Sequence, residues 1–395
     1  MTSSAALAAA CAPAATPAAP KPPLKIGQLV PFTKVYADLG NSMKRAADLY
    51  VKINPTFAGR KVELIYEDEA NDATIAQQKA RKFIDQDQVD VMMGVVPTPV
   101  AYALRDLVHN AGMIFICTNA GGDWLTRAET AGKPSKKSPF IFRSSFTSWQ
   151  ISEPIGEWLA TKKGVKEVQL SYANYGFGIE SATDFTEGFT KKGGKIVPPD
   201  TKPPLGNADF LPFVTQIKNN PTKATYHFYS GADAQKFLQT WDQLGLKQAG
   251  YVIYGTGFLV EQDVLQNPAA AKAAIGAITA LHWAVTLDNP ENKAFVDAYK
   301  KEYQQLPDVF AVQSWDGMRA FDEAMKKLNG DTSDKQRIIR ALEDVTFNSP
   351  RGAFQFDKDT HNVIHDIYIR EVKEQGGQVV NTIVDKIGRV ADPGK

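Results

Sequence analysis

Cysteine is scarce in this sequence, and its scarcity limits the class of protein. The 395 residues include only two cysteines, Cys11 and Cys117, so a framework of several disulfides is excluded. Cys117 follows the apolar run Met113–Ile116, which is typical of a buried strand. We therefore predict that Cys117 is a buried structural thiol and not a catalytic one.

Excess charge and long hydrophobic runs are also missing. The formal net charge is +1, which gives no support for a nucleic-acid partner. No apolar run approaches the roughly 20 residues of a membrane span, so the folded body is not expected to cross a bilayer. Single cores stop growing near about 250–300 residues, so the length predicts more than one core.

Motifs that assemble a reaction centre are absent as well. There is no phosphate-binding loop and no Gly-x-Ser-x-Gly elbow, and Gly255–Val260 lacks the third glycine of a dinucleotide-binding loop. His361 and His365 lie in a strand-like pattern, where four residues span about 13 Å, too far for one metal ion. We expect surface histidines there and a solvated strand end at Glu67–Glu69. We expect no metal, no cofactor and no catalysis.

Residues 1–23 contain mainly Ala, Pro, Ser and Thr. Such a composition cannot build a core and predicts disorder. Two interpretations remain open, a linker remnant and the tail of an export signal. Leu7–Cys11 resembles a lipoprotein cleavage site with Cys11 as the lipid-bearing residue, although a basic region is missing and the apolar stretch is short. The export interpretation predicts a periplasmic protein, with Cys11 as its lipid anchor.

Strand and helix patterns alternate twice along the rest of the chain. The first series runs from Leu24 to Cys117 and the second from Val168 to about Ala280, which predicts parallel sheets covered by helices. Between them lies Phe140–Gln150, a short apolar run followed by hydroxyl groups and two aromatic residues. We interpret this segment as the first crossing between two lobes, with a ligand cleft beside it. A second crossing is expected at Leu281–Trp283.

Ligands of open α/β sheets bind beyond the carboxyl ends of the strands, so the residues that follow each predicted strand are candidates. These segments are Phe32-Thr33, Val96-Pro97-Thr98, Asn119-Ala120-Gly121-Gly122, Asn174-Tyr175-Gly176-Phe177-Gly178, Ser230-Gly231 and Thr256-Gly257-Phe258. They hold hydroxyls, glycines and aromatic rings, with hardly a charge. Helix N-termini favour an anion, and rings offer flat apolar walls, so the pattern predicts a pocket for a small, flat, acidic molecule. The alternative is that glycine and serine serve the turns and the rings cap the core.

The span Leu24–Ile387 resembles the substrate-binding proteins of branched-chain amino acid type ABC transporters. The resemblance is carried by Lys25-Ile26-Gly27, Pro31-Phe32-Thr33, Gly59 to Leu64 followed by Glu67-Asp68, Phe140 to Arg143, Tyr175-Gly176, Asp209-Phe210, Asn292 to Val296 and Ser349 to Gly352. It implies two doubly wound Rossmann-like lobes joined by three crossovers, the type I periplasmic binding fold. Lobe 1 would hold 24–144 and 281–350, and lobe 2 would hold 145–280 and 351–391.

The resemblance also implies a set of ligand-binding positions in the cleft. They are Phe32, Val96, Pro97, Thr98, Asn119, Ala120, Ser148, Tyr175, Ser230, Thr256 and Trp315, with Trp149 and Phe258 as further candidate walls. In such proteins hydroxyls and backbone N–H groups hold the ligand carboxylate. Thr98 with the amides of Asn119 and Ala120 would do so here, while Ser148 and Ser230 would bond a substituent on a ring.

Two departures from the amino acid binders point to a different ligand. An acidic side chain commonly follows the first crossing in those proteins, where this chain has Ser148 and Trp149, and a second acid is replaced by Gly255–Phe258. A cysteine pair of some relatives is also missing, with Ala70 near one of its positions. Because a buried ammonium without a carboxylate costs several kcal/mol, we expect a benzoate-like or phenylpropenoid acid instead.

The expected function is therefore capture of a small aromatic carboxylate by closure of two lobes, followed by delivery to a membrane ABC permease. We expect a monomer without a nucleic-acid partner. An aliphatic or branched-chain amino acid binder of the same fold is the first alternative. The ligand-sensing domain of a receptor is the second, and an enzyme the third.

Overall fold

The first part of the chain builds a six-stranded sheet in the computed structural model, which describes residues 21–128 and 137–394. The strands are β1 (Leu24–Val30), β2 (Thr56–Phe57), β3 (Arg60–Asp68), β4 (Val91–Gly94), β5 (Phe115–Cys117) and β6 (Ile141–Arg143). They lie in the order β2-β3-β1-β4-β5-β6, with β2 antiparallel to β3 and the other pairs parallel. The connecting helices are α1 (Ala37–Ile53), α2 (Ala73–Lys82) and α3 (Thr98–Ala111).

The second part builds a nine-stranded sheet. Its strands are β7 (Glu167–Tyr172), β8 (Lys195–Ile196), β9 (Ala224–Phe228), β10 (Val252–Thr256), β11 (Ile278–Leu281), β12 (Thr346–Ser349), β13 (Gly352–Phe356), β14 (Val363–Gln375) and β15 (Gln378–Val390). The order is β12-β13-β14-β11-β10-β9-β7-β8, and β15 pairs with β14. Strands β7 to β11 pair in parallel, whereas β14 runs antiparallel to β11, β13 and β15. This two-sheet α/β architecture is the predicted fold class.

Helices cover both sheets. In the second series they are α4 (Ser148–Thr161), α5 (Gly176–Lys191), α6 (Leu211–Asn219), α7 (Gly231–Gln243), α8 (Gln262–Leu265) and α9 (Pro268–Ala274), followed by α10 (Pro290–Tyr303), α11 (Val309–Lys327) and α12 (Lys335–Glu343). The chain returns to the first sheet after β11, because Met318 and Phe321 of α11 share an apolar core with Ile26 and Val91. Over residues 21–128 and 137–394, no helix has both the length and the apolar character of a membrane span.

Two helices begin earlier than their patterns predict, and the caps explain one of them. Helix α4 was expected from Ile151 but begins at Ser148, because Thr147 and Gln150 form a capping box in which each side chain bonds the other residue's backbone N–H. Helix α1 begins at Ala37 and not at Ser42. Both shifts lengthen the helices toward the gap between the lobes.

The pair Thr98-Pro99 predicts that Thr98 is the N-cap of α3 and Pro99 its first helical residue, and the prediction for Thr98 is wrong. Pro97 is the N-cap, with an extended backbone (φ −71°, ψ 133°), and Thr98 is already helical. Pro97 suits the N-cap because the fixed φ of proline matches the extended backbone there. Pro99, in the first turn, lacks only an N–H that would have no partner within the helix. The Thr98 hydroxyl is thus released from capping, and it has no hydrogen-bond partner among the described residues.

Buried arginines hold the segments that connect the lobes. Arg351, which follows β12, donates to the backbone oxygens of Ser144 and Ser145 in the first crossing, and its Nε lies 2.6 Å from Asp316 of α11. Arg143 similarly bonds the Phe146 oxygen at 2.9 Å. Both guanidinium groups are fully buried. Each therefore neutralises backbone dipoles or a carboxylate that would otherwise lie unpaired in the interior.

The prediction for Cys117 is confirmed. Its thiol is fully buried at the end of β5, and burial raises the pKa of Cys117 to about 11. The thiol therefore stays protonated at neutral pH and is a poor nucleophile. Cys11 and the predicted lipid attachment lie outside the described residues.

Candidate functional site

A small cavity lies where the carboxyl ends of the strands in the two sheets face each other. The space between its lining atoms amounts to about 270 Å³, including the part that opens to solvent. It is lined by Tyr36, Leu39, Val96, Asn119, Gly121, Phe146, Tyr175, Phe177, Phe228, Ser230, Phe258 and Phe310. Both lobes contribute, so the cavity exists only because the lobes are closed on each other.

Seven of these twelve residues are aromatic, and their rings pack into a continuous wall. Phe146 of the first crossing lies 5.0 Å from Phe258 and 5.6 Å from Phe177, measured between ring centroids. Phe258 stacks on Phe310 at 5.8 Å. Offset and edge-on ring contacts of this kind suit a flat apolar guest, which adds one more ring to the cluster.

Few polar atoms reach the cavity. Ser230 is the N-cap of α7, and its hydroxyl has no hydrogen-bond partner among the described residues. Tyr36 and Tyr175 join the two lobes through their hydroxyl groups, which lie 2.9 Å apart. Asn119 donates from Nδ2 to Gln313 Oε1 at 2.7 Å. The site can therefore hydrogen-bond a guest at a few points and is otherwise apolar.

No Asp, Glu, Lys or Arg is among the described residues that line the cavity. The carboxyl group of Glu69 in the first lobe lies behind Val96, whose backbone N–H donates to Glu69 Oε1 at 3.1 Å. Burial raises the pKa of Glu69 well above its usual range, which disfavours the charged form of this group. The predicted solvated strand end is wrong here, because Glu69 is fully buried and Asp68 organises the turn by accepting from Phe32 N and Thr33 Oγ1.

Five of the sequence-predicted ligand residues line this cavity together. They are Val96, Asn119, Tyr175, Ser230 and Phe258. Thr98 and Thr256 are buried, and each lies two residues from a residue that lines the cavity. The hydroxyls of both have no hydrogen-bond partner in the described part of the chain. Pro97 is buried at the start of α3, and its oxygen accepts from Val100 N.

Other predicted residues lie behind the cavity wall or away from it. Ala120 donates its N–H to Val95 O at 3.0 Å, so that N–H is not available to a guest in this conformation. Ser148 is buried and donates its N–H to Gly121 O. Phe32 is half-buried and packs against Tyr66 at 6.2 Å.

Both predicted tryptophan walls lie elsewhere in the structure. Trp149 lines a surface depression together with Trp158 and Lys162. Trp315, inside α11, packs edge-on against Tyr50 at 4.8 Å and near Phe295 at 5.1 Å. Neither ring is among the residues that line the cavity.

Sequence reasoning missed the residues that complete the wall: Tyr36, Leu39, Gly121, Phe146, Phe177, Phe228 and Phe310. Gly121 and Phe177 lie within strand-end segments that were recognised, and Phe146 lies in the first crossing, so their positions carried a signal. Gly121 leaves room that a side chain would fill, since a Cβ there would lie 2.4 Å from the Phe146 ring. Tyr36, Leu39 and Phe310 lie on helical turns whose approach to the cavity depends on the tertiary fold.

The predicted surface histidines are buried. His361 is 6% exposed and stacks on Phe142 with 4.0 Å between centroids, and His365 is fully buried and stacks on His282 at 4.8 Å. The prediction is wrong for His365 because β14 lies between β11 and β13. It is wrong for His361 because this ring, just before β14, is held between Phe142 and its hydrogen-bond partner Glu343. In the part of the chain that the structure describes, no group of three or more His, Cys, Asp or Glu residues could hold a metal ion.

A second set of contacts joins the lobes beside the cavity. Glu180 of α5 accepts from Tyr102 Oη on α3 and from Asp123 N, both at 2.7 Å. Asp184 lies one turn further along α5, and Asp123, Glu180, Arg127 and Ser148 surround it. Burial raises the pKa of Asp184 to about 7, with the Arg127 guanidinium opposing the effect. The closed lobes thus place the carboxyl groups of Asp184, Glu180 and Asp123 close together. Above about pH 7, where Asp184 loses its proton, its negative charge is unfavourable in this buried cluster.

We expect the substitution Asp184→Asn to stabilise the protein at pH 8. The pKa of Asp184 in the folded chain is higher than the value of about 3.9 in an unfolded chain, so folding binds a proton and the free energy of unfolding falls as pH rises from about 4 to about 7. The variant lacks this fall and should gain about 1–3 kcal/mol at pH 8. Urea unfolding at pH 5 and pH 8 measures it, with Asp297→Asn on exposed α10 as control. Parallel pH profiles for Asp184→Asn and the unsubstituted protein would contradict the expectation.

Comparison with known proteins places the chain among solute-binding proteins. The family described as "Periplasmic binding protein" matches residues 23–378. A solute-binding protein of an ABC transporter from Rhodopseudomonas palustris BisB5, solved with 3,4-dihydroxybenzoic acid, is 34% identical with a TM-score of 0.88, covering 94% of this chain and 99% of that one. Another from R. palustris, solved with benzoate, is 31% identical with a TM-score of 0.85, covering 94% and 98%. "Leu/Ile/Val-binding protein homolog 6" of Brucella melitensis is 29% identical, covering 94% of this chain and 93% of its own.

Proposed function

Because the chain belongs to the periplasmic binding protein family of ABC-transporter solute-binding proteins, we propose that it captures a small aromatic carboxylate outside the cytoplasm. It delivers this ligand to the membrane permease of an ABC importer. The two lobes close around the guest and reopen at the permease, and no covalent step is involved. The export interpretation of residues 1–23 places this step in the periplasm.

The observation that carries the proposal is the chemistry of the cavity wall. Rings make up most of it, and no charged side chain is among its described residues. A flat ring buries its faces against Phe146, Phe177 and Phe258, which contributes about 25 cal/mol per Å² of apolar surface removed from water. Several of the similar solved structures hold ligands of this kind, among them 3,4-dihydroxybenzoic acid and benzoate.

The carboxylate is proposed to lie near Asn119 and the start of α3, where Thr98 offers a buried hydroxyl that has no hydrogen-bond partner among the described residues. The N-terminal end of a helix favours an anion. A substituent across the ring would then meet Ser230 and the hydroxyl pair of Tyr36 and Tyr175. A bound anion in a site without water is stabilised by hydrogen-bond donors, provided that no carboxylate of the protein occupies those donors.

The second candidate is an aliphatic or branched-chain amino acid, which the name of the Brucella relative favours. Such a ligand carries an ammonium group, whose burial without an ionised carboxylate costs several kcal/mol. Glu69 of the first lobe lies behind Val96, and burial raises its pKa and so disfavours the charged form that an ammonium partner needs. The wall therefore favours a guest without a positive charge.

We expect benzoate and hydroxybenzoates to raise the melting temperature in a thermal-shift panel, and leucine, valine and glutamate to leave it unchanged. A ligand at 100 times its dissociation constant adds about 2.7 kcal/mol to the free energy of unfolding, because it binds only the folded state. Cinnamate belongs in the panel so that a phenylpropenoid acid is tested beside the single-ring acids. If the amino acids alone raise the melting temperature, the proposed ligand class is wrong.

A further inference from the structure

A chain of three buried side chains leads from the cavity wall to the second crossing. Asn119 follows β5 and lines the cavity, and its Nδ2 donates to Gln313 Oε1 of α11 at 2.7 Å. Gln313 Nε2 in turn donates to Nε2 of His282, which follows β11, at 3.1 Å. Gln313 and His282 are fully buried. These three residues, called the amide relay below, link segments that are far apart in sequence.

His282 is a neutral imidazole in this setting. Burial, together with the positive fields of Arg351 and Arg370 and the neighbouring His365, lowers the pKa of His282 well below its usual range. A neutral imidazole has one N–H and one lone pair, and either nitrogen can carry the proton. Nε2 of His282 is therefore able to accept from Gln313 or to donate to it.

The His282 ring cannot flip freely to interchange Nδ1 and Nε2, because it is packed against two other rings. Phe146 stacks on one side at 5.5 Å between centroids and His365 on the other at 4.8 Å. Nδ1 of His282 has no hydrogen-bond partner among the described residues. A proton on Nδ1 would be a buried donor without an acceptor, whereas a lone pair there lies in the field of the two guanidinium groups. The tautomer with its proton on Nε2 is thus the less costly one.

The tautomer decides which atom of Asn119 faces the cavity. With the proton on Nδ1 of His282, Gln313 Nε2 donates to His282 Nε2 and Asn119 Nδ2 donates to Gln313 Oε1. Asn119 Oδ1 is then left as an acceptor. With the proton on Nε2, His282 donates to Gln313 Oε1, Gln313 Nε2 donates to Asn119 Oδ1, and Asn119 Nδ2 is left as a donor. Rotation of both amides preserves both hydrogen bonds, since the amide O and N occupy equivalent places.

We propose that Gln313 and His282 are positioning residues that orient the Asn119 amide, and that a bound carboxylate selects the arrangement in which Asn119 Nδ2 faces the cavity. This inference rests on the proposed function and deepens it. A carboxylate accepts hydrogen bonds and cannot donate them, so only the Nδ2-facing arrangement stabilises it. A guest that offers a donor at the same point selects the opposite arrangement, and the relay adapts to either.

The tautomer of His282 in the benzoate complex tests the relay directly. Protein labelled with ¹⁵N-histidine carries five histidines, and a His282→Phe variant assigns the signal. We expect a protonated Nε2 and an unprotonated Nδ1 when benzoate is bound. A proton on Nδ1 in the bound state would overturn the relay while leaving the proposed function intact. Failure of the unsubstituted protein to bind any aromatic carboxylate would overturn both.

A pair of matched ligands gives a second readout. Benzamide has the shape of benzoate but carries both a donor and an acceptor, so it pairs with either face of the Asn119 amide. The neutral, similarly sized substitution Gln313→Met removes the orientation, and we expect the ratio of benzoate to benzamide dissociation constants to rise about two- to tenfold, the factor of one net hydrogen bond. An unchanged ratio would contradict the relay.

The control for this experiment is Ser314→Ala. Ser314 is buried beside Gln313 on α11, and its hydroxyl donates to Met43 O at 2.9 Å, outside the relay. Its loss perturbs the same helix without touching Asn119, so the ratio of the two dissociation constants should not move. A rise for Ser314→Ala equal to that for Gln313→Met would assign the effect to helix packing and overturn the relay.

Discussion

Replacing Ser230 with Asp is expected to weaken benzoate binding by at least about 100-fold. Ser230 lines the cavity, is 5% exposed, and its hydroxyl has no hydrogen-bond partner among the described residues. An aspartate there places a second negative charge in a dry cavity beside the guest anion. Burying an uncompensated charge costs about 3–5 kcal/mol, and every 1.4 kcal/mol is a tenfold change in affinity. Isothermal titration calorimetry measures the loss.

The matched control is Ser230→Asn, which has the size of aspartate without its charge. Both residues are good N-caps, so α7 should form in either variant, and folding is checked by circular dichroism. We expect Ser230→Asn to bind within about tenfold of the unsubstituted protein, the cost of a poorer fit and one hydrogen bond. Equal losses for the Asp and Asn variants would show that volume and not charge governs this position.

The same pair of variants separates the two candidate ligand classes. If the guest carries an ammonium group, the aspartate supplies the partner that the described cavity wall lacks, and affinity for leucine or valine should rise in Ser230→Asp. If the guest is an aromatic acid, no gain for amino acids accompanies the loss of benzoate binding. A gain for leucine would therefore support the amino acid alternative.

Replacing Arg351 with Met is expected to cost about 3–5 kcal/mol of unfolding free energy. Arg351 and Asp316 are fully buried and lie 2.6 Å apart. The guanidinium group also holds the backbone oxygens of Ser144 and Ser145 in the first crossing. The variant leaves a buried carboxylate and two carbonyl groups without their partner, so several groups lose stabilisation together. Urea unfolding followed by circular dichroism measures the change.

Arg389→Met serves as the control, because Arg389 is exposed on β15 and bonds the Ile364 oxygen at 3.0 Å. We expect this variant to stay within about 0.5 kcal/mol of the unsubstituted protein. The double variant Arg351→Met/Asp316→Leu should recover part of the loss, since it removes the unpaired carboxylate. A loss for Arg351→Met no larger than that of the control would contradict a structural role for the buried pair.

Local sequence patterns predicted much of this fold, because burial of one face of a strand or helix requires apolar residues at a regular spacing along the chain. The alternation of apolar strands and amphipathic helices determines a parallel sheet before any long-range contact is known. Cys117 is an example, since an apolar run predicts a strand covered on both faces. The errors lie where the run of apolar residues is short. His365 was expected at the surface, but β14 lies between two other strands and buries it.

The candidate site divides in the same way. Strand ends are identifiable in sequence, and the segments at Val96, Asn119, Tyr175, Ser230 and Phe258 contribute to one cavity. Trp149 and Trp315 lie within α4 and α11, where successive side chains point about 100° apart, so a position along the sequence does not by itself give the direction of a ring. Their rings face a surface depression and Tyr50, respectively.

The sequence alone determined the order of strands and helices, the family to which the chain is related, and the uncharged, hydroxyl- and ring-rich chemistry at the strand ends. Only the tertiary structure decided which rings form the wall, that Tyr36 and Tyr175 meet across 139 positions of sequence, and that Gln313 and His282 lie behind Asn119. The physical reason is that strand and helix formation depends on neighbours within a few residues. A cavity between two lobes is formed by surfaces that come together only when both lobes are folded and closed.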